Sequence, residues 1–319
     1  MTSGQRTSGT RPALPRRKRV DANMHPEMRR KRGRWIMAGL TATALLIAGC
    51  GGSSGSGSSG GAATTSNAKA PTTPAQPVKL LRPLKPLKQP SARCGAPHTK
   101  ATLVRFKAAD GTPLDGVMVG SGTVGVVLAH EVGDLCGAWP YANYLAKRGY
   151  RAFAIDMRCF GRSACPQGAA AGRVVDDVLA AVAELRHRGA TKVALVGASM
   201  GGSAALIAAT RVQPPIDAVI SLSGEANPTS LLHLPLNARA AVQQLTVPAM
   251  FVVADLDQLI SVDETRAMYQ TEKTADKRLL VLPSQFDGFH GWQVLTNANG
   301  TFSSTATKVT AFIAAHTGG

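Results

Sequence analysis

The sequence is short of acidic side chains, and the shortage is local. Against 36 Lys and Arg there are 19 Asp and Glu, and only two of those acids lie before residue 95. Residues 1–94 therefore hold 15 of the net charge of +17, while residues 95–319 carry nineteen basic and seventeen acidic side chains. With the later part so near neutrality, the high overall charge is no argument for a nucleic-acid partner, and none is expected. Long apolar runs are also missing. The stretch from Trp35 to Ala48 has no charge, but it falls short of the ~20 residues a membrane-spanning helix needs. No pair of cysteines has zinc-ligand spacing with a nearby His, and no glycine-rich phosphate or dinucleotide fingerprint stands where it could act. Neither a metal nor another cofactor is expected. Internal repeats are absent.

What the first part does contain is a basic run (Arg29, Arg30, Lys31, Arg32, Arg34), the apolar stretch to Ala48, and then small residues, the anatomy of a secretion signal. Its end, Leu46-Ile47-Ala48-Gly49-Cys50, resembles the lipobox of bacterial lipoproteins. That resemblance implies cleavage before Cys50 and a diacylglycerol on its thiol, tethering the protein to a membrane on the extracytoplasmic side. An ordinary secretory signal, or a short uncleaved anchor, is the alternative. Translation from Met24 or Met28 would shorten the leader. GGSSGSGSSGG after Cys50 cannot bury a core and reads as flexible coil. PTTPAQPVKLLRPLKPLKQP is stiffened by its prolines. The division is thus 1–49 leader, 50–93 tether and 94–319 folded domain.

Within that domain, short apolar runs alternate with helical patterns, the signature of strands joined by crossover helices. Thr102–Lys107 and Leu114–Val119 read as a pair joined by the turn signal Asp110-Gly111; Val124–Ala129, Ala152–Ile155, Lys192–Val196, Ala218–Leu222, Ala249–Val253 and Arg278–Leu282 read as buried strands. Helical patterns cover Trp139–Arg148, Val174–Arg188, Met200–Thr210, Val262–Thr271 and Ser304–Ala315. The expected fold class is α/β, an eight-stranded, mostly parallel sheet with helices on both faces. Only 23 residues separate Gly224 from Pro248, which excludes a large cap domain there.

Where the run Lys192–Val196 meets its helix stands Gly197-Ala198-Ser199-Met200-Gly201. A sharp strand-to-helix turn needs small neighbours, and G-x-S-x-G supplies them around an exposed hydroxyl. A serine hydroxyl attacks only when a base takes its proton, so a His and an orienting acid must follow. His290, just past the last apolar run, and Asp257, closing FVVADLD, meet that need in the order Ser, Asp, His. Asp255 is the nearest rival for the acid and Glu225 a more distant one; Asp287 reads as a loop residue. Of the other histidines, His187 falls at a basic helix end, where a cation suits the dipole. His25 precedes the mature chain, and His98, His233 and His316 lack partners legible in the sequence.

His130-Glu131-Val132-Gly133 follows the run Val124–Ala129. With these residues on the page, the segment 95–319 resembles the α/β-hydrolase superfamily, and within it the dienelactone-hydrolase-like and small serine esterase members. The resemblance implies an oxyanion hole made by the Val132 and Met200 N–H groups, with His130 and Glu131 beside the site. Glu131 stands where a common motif has Gly, and it reads equally as an orienter of active-site groups or as a structural carboxylate. Dienelactone hydrolase itself uses Cys where this chain has Ser199, which argues against carrying over that enzyme's substrate. The implied activity is hydrolysis of carboxylic esters through an acyl-enzyme. An acyltransferase or perhydrolase acting on envelope components, and an inactive surface-binding protein of the same fold, are the alternatives. Four cysteines remain besides Cys50, enough for two disulfides in an exported protein. Of three connectivities the favoured one is Cys94–Cys136 with Cys159–Cys165; free buried thiols are the alternative.

Overall fold

Strands that are apolar on both faces must be covered on both, and that requirement organises this chain. The computed structural model describes residues 79–85, 93–94, 101–227, 234–286 and 288–318. The leader, Cys50, most of the tether, His25, His98, His233 and Asp287 lie outside them.

In chain order the strands are β1 (Leu80–Arg82), β2 (Ala101–Lys107), β3 (Pro113–Val119), β4 (Val124–Ala129), β5 (Arg151–Asp156), β6 (Cys165–Pro166), β7 (Lys192–Ala198), β8 (Ala218–Leu222), β9 (Ala249–Ala254) and β10 (Lys277–Leu282). Eight of them form one sheet in the order β2-β3-β5-β4-β7-β8-β9-β10. Only the β2/β3 and β3/β5 pairings are antiparallel. The six strands from β5 to β10 in that order run parallel. The helices are α1 (Trp139–Ala146), α2 (Val174–His187), α3 (Met200–Ala209), α4 (Ala238–Val242), α5 (Val262–Thr271) and α6 (Ser304–Thr317). This is the expected eight-stranded sheet with helices on both faces.

Side chains of a strand alternate between faces, and β4 shows the consequence. Val127 and Ala129 pack into the core shared with α2, α3 and α4, whereas Val126 and Leu128 pack into the opposite core with α1 and α6. Both sets are almost fully buried. The turn between β2 and β3 is fixed by Asp110, whose carboxylate accepts the Thr112 N–H at 3.0 Å, and by Gly111 at φ 82°, a conformation glycine adopts without steric cost.

The folded region begins earlier than its sequence pattern shows. Leu80–Arg82, inside the expected tether, pairs antiparallel with β6, and the Gln167 N–H donates to Lys79 O at 2.9 Å. Two- and three-residue strands carry no readable periodicity, and their pairing joins distant parts of the chain. Arg93 adds a second attachment: its guanidinium reaches Asp156 at 2.7 Å and Asp134 at 3.2 Å. Beside it the structure pairs Cys94 with Cys136, and Cys159 with Cys165.

Candidate active site

Parallel strands end together, so the loops after β4, β7, β9 and β10 emerge on one edge of the sheet. These loops carry the residues of interest.

Ser199 follows β7 directly and precedes α3. Its backbone sits at φ 49° and ψ −119°, a region that costs a non-glycine residue about 1–3 kcal/mol and persists only when the surroundings enforce it. One restraint is the Ser199 N–H donating to Leu222 O at 2.8 Å. The others are contacts that only glycine permits. A Cβ on Gly197 would fall on the carbonyl oxygen of Gly201, and one on Gly201 would fall on that of Ala129. All ten residues of α3 are buried, with Ala and Gly most frequent, so the helix can press against the sheet behind the serine. Met200 opens this helix, where the first N–H groups have no intrahelical acceptor.

Asp257 lies three residues past β9. Its Oδ1 accepts the N–H groups of Leu259 at 3.0 Å and Ile260 at 3.1 Å. His290 Nδ1 lies 2.8 Å from Asp257 Oδ2 and 3.0 Å from Oδ1. Burial alone would raise the Asp257 carboxyl, but the hydrogen bonds from His290 and the Leu259 N–H hold it below the ordinary carboxylate range. A carboxylate can only accept, so the proton belongs on Nδ1 and the lone pair on Nε2. That Nε2 is buried and makes no hydrogen bond among the described residues. Asp255, the rival acid, is turned elsewhere: its Oδ1 accepts the Ser284 N–H at 2.7 Å.

The loop after β4 contributes differently at each residue. His130 is fully buried; its Nε2 accepts the Met157 N–H at 2.9 Å, and its Nδ1 faces the Glu131 carbonyl. Because a backbone N–H can only donate, this ring is the neutral Nδ1–H tautomer, and burial lowers its pKa further. Both nitrogens are occupied, so His130 pins two loops and has no free atom for proton transfer. Val132 is 57% exposed, and its N–H finds no acceptor among the described residues. Glu131 Oε2 accepts the Trp292 N–H at 3.4 Å, tying this loop to the one that holds His290. Burial raises the Glu131 carboxyl, with His290 and the Trp292 N–H acting against the shift.

Three features carried no sequence signal. Gln293 Oε1 accepts the His290 N–H at 3.2 Å. Asp156, at the end of β5, accepts the Leu135 and Arg162 N–H groups, both at 2.9 Å, in addition to Arg93. The exposed large hydrophobic side chains Val132, Leu256, Leu259 and Phe286 sit on the loops that carry the oxyanion-hole candidate, Asp257 and His290.

A family model described as serine aminopeptidase, S33, matches residues 124–231, about a third of the chain. No curated protein matches in sequence. Among solved structures, an esterase of Pyrococcus furiosus is similar at 17% identity, covering 75% of this chain and 100% of its own, with a TM-score of 0.59. A dienelactone hydrolase from Anabaena variabilis matches at 20% identity over 69% of this chain and 99% of its own, TM-score 0.54. An esterase from Exiguobacterium antarcticum matches at 16% over 66% and 99%, TM-score 0.55. At these identities the likeness is one of fold: the chain has the α/β-hydrolase fold.

Proposed function

We propose that this protein is a serine hydrolase that cleaves carboxylic esters, with Ser199 as nucleophile, His290 as base and Asp257 as the group that fixes its tautomer. The observation that carries the reading is the pairing of a buried Asp257 carboxylate with His290 Nδ1, which leaves a buried, unpartnered Nε2. His290 takes the Ser199 proton as Oγ attacks the ester carbonyl, and the imidazolium then protonates the leaving alcohol. The Met200 and Val132 N–H groups stabilise the oxyanion, each contributing about 3–4 kcal/mol to the barrier. Water activated by the same histidine releases the acid. The apolar side chains on the surrounding loops suit an apolar acyl group at the mouth of the site.

The reading extends to location: the chain is exported and held at the membrane by lipid on Cys50. Incorporation of labelled palmitate into the full-length chain, lost in Cys50→Ser, tests that part. For the chemistry, the full-length protein is assayed on short-chain p-nitrophenyl esters beside Ser199→Ala, and both are treated with a fluorophosphonate. Turnover and labelling confined to the parent support the assignment. Labelling that persists in Ser199→Ala overturns it.

A further inference from the structure

A cavity of about 280 Å³ opens against the turn that follows His290, lined by Glu131, Gly137, Tyr141, Trp292, Leu295 and Phe302 among others. Its composition is unusual for an acyl pocket. Three aromatic rings contribute to the walls, with the Tyr141 ring 6.2 Å from both the Trp292 and the Phe302 rings. One carboxyl group is the acidic member. Glu131 spends Oε2 on the Trp292 N–H, while its Oε1 accepts no hydrogen bond among the described residues and lies on the side of Gly137 and the Trp292 indole.

That carboxyl lacks a cation. Elsewhere in the domain Asp156 is matched by Arg93, and Asp177 and Asp110 by Arg158, although buried Glu272 also has no ion pair among the described residues. No Lys or Arg forms an ion pair with Glu131 among the described residues, and the charged groups that face it are His290 and Asp257. His290 is already committed to Asp257 through Nδ1. A half-buried carboxylate without an ion-pair partner retains a net attraction for cations, and a positive ligand placed against aromatic faces would gain from both.

We propose that this cavity is the subsite for a quaternary ammonium group carried by the ester substrate. Glu131 supplies the charge, and Tyr141, Trp292 and Phe302 supply the aromatic walls. A quaternary ammonium fits better than a lysine-like one because it is weakly hydrated, donates no hydrogen bonds and loses little on entering an apolar wall. The proposal rests on the esterase reading for its place in catalysis, but its binding chemistry can be read separately.

The test compares choline with its neutral isostere 3,3-dimethylbutan-1-ol as competitors of p-nitrophenyl butyrate hydrolysis by the full-length chain. Choline is expected to inhibit at about 10-fold lower concentration. In Glu131→Gln, whose amide oxygen still accepts the Trp292 N–H, that preference should fall to within about 2-fold. Phe302→Leu, which keeps an apolar wall but removes a ring, should weaken choline and spare the alcohol. Equal inhibition by the two compounds, or a preference that survives Glu131→Gln, overturns the proposal. Quenching of tryptophan fluorescence by choline, through Trp292, reads the same preference without turnover. A choline signal lost in Glu131→Gln, in a protein that hydrolyses no ester, would keep the subsite and remove the esterase reading.

Discussion

The carboxylate of Glu131 occupies the space that a side chain at position 291 would need: a Cβ built on Gly291 collides with Glu131 Oε2. Gly291 also has φ 56°, a left-handed conformation that L side chains adopt at a cost. The residue after the histidine is thus fixed both by its own backbone and by the loop that follows β4. Gly291→Ala should lose about 1–3 kcal/mol of stability from backbone strain alone. The larger effect falls on activity, because the collision must displace either Glu131 or the turn that carries His290. Urea unfolding and kcat/KM measured on the same preparation check this. A variant as active as the parent would mean that the two loops move independently.

In the proposed triad Asp257 controls both a tautomer and a charge. Replacing it with Asn preserves the shape but offers Nδ1 no obligate acceptor, and the expected loss in kcat is about 10³–10⁴-fold. Asp255→Asn should leave kcat near the parent value, since that side chain caps Ser284. The two variants assayed side by side separate the rival acids.

The same carboxyl has a signature in acid. Its folded-state pKa lies below the ordinary value, so its contribution to stability is present above about pH 3.9, the unfolded value. The contribution is lost as pH falls through the lower folded value. Chemical unfolding of the parent and Asp257→Asn at pH 7 and at pH 3 should therefore show the difference between them shrinking in acid. A gap that widens in acid contradicts the sign of the shift.

Much of this arrangement was legible in the sequence, and the reasons differ residue by residue. Runs such as Val124–Ala129 and Ala249–Val253 are apolar throughout because parallel strands are covered on both faces, so burial writes itself into composition. Gly197 is dictated by a backbone contact with Gly201 in the same turn, and a local constraint leaves a local pattern, whereas Gly201 answers to Ala129 on β4. What could not be read is long-range. Nothing around Leu80 indicates that it pairs with Pro166, and Arg93 gives no sign of meeting Asp156. The pinned ring of His130 depends on Met157, 27 residues on. The aromatic walls near His290 come from Tyr141 and Phe302, on separate elements that only the packing brings together.

Arg158 is the cation at the centre of a buried cluster. Fully buried itself, it reaches Asp177 and Asp110 at 2.7 Å each and donates to Ala170 O at 2.7 Å. Burial pushes the Asp177 carboxyl up to about 6 even against this partner, so the ion pair offsets desolvation without fully cancelling it. Removing the cation leaves the buried Asp177 without an ion-pair partner and Asp110 with only the more distant Arg173, and Arg158→Ala should cost about 3–5 kcal/mol. Urea denaturation measures the loss, and the folded fraction should keep the parent kcat because none of these residues touches Ser199, Asp257 or His290 in a hydrogen bond or ion pair.

The two disulfides allow a prediction in which loop length decides the order. Cys94–Cys136 spans 42 residues and Cys159–Cys165 spans 6. If each acts by restricting the unfolded chain, the longer closure contributes about 4 kcal/mol and the shorter about 2 kcal/mol. Cys94→Ser with Cys136→Ser should therefore lower stability about twice as much as Cys159→Ser with Cys165→Ser. The long bridge is also backed by Arg93, which holds Asp134 and Asp156 from the adjacent position, so the turn at 134–136 stays attached after its sulfurs are gone. Activity should consequently survive in the folded fraction of the first double variant, measured below its unfolding midpoint. Adding Arg93→Ala removes the second attachment, and only then should kcat/KM fall, because the turn that follows Val132 is freed. A fall already present in the double variant would make the sulfur bridge, and not the guanidinium, the restraint on the loop after β4.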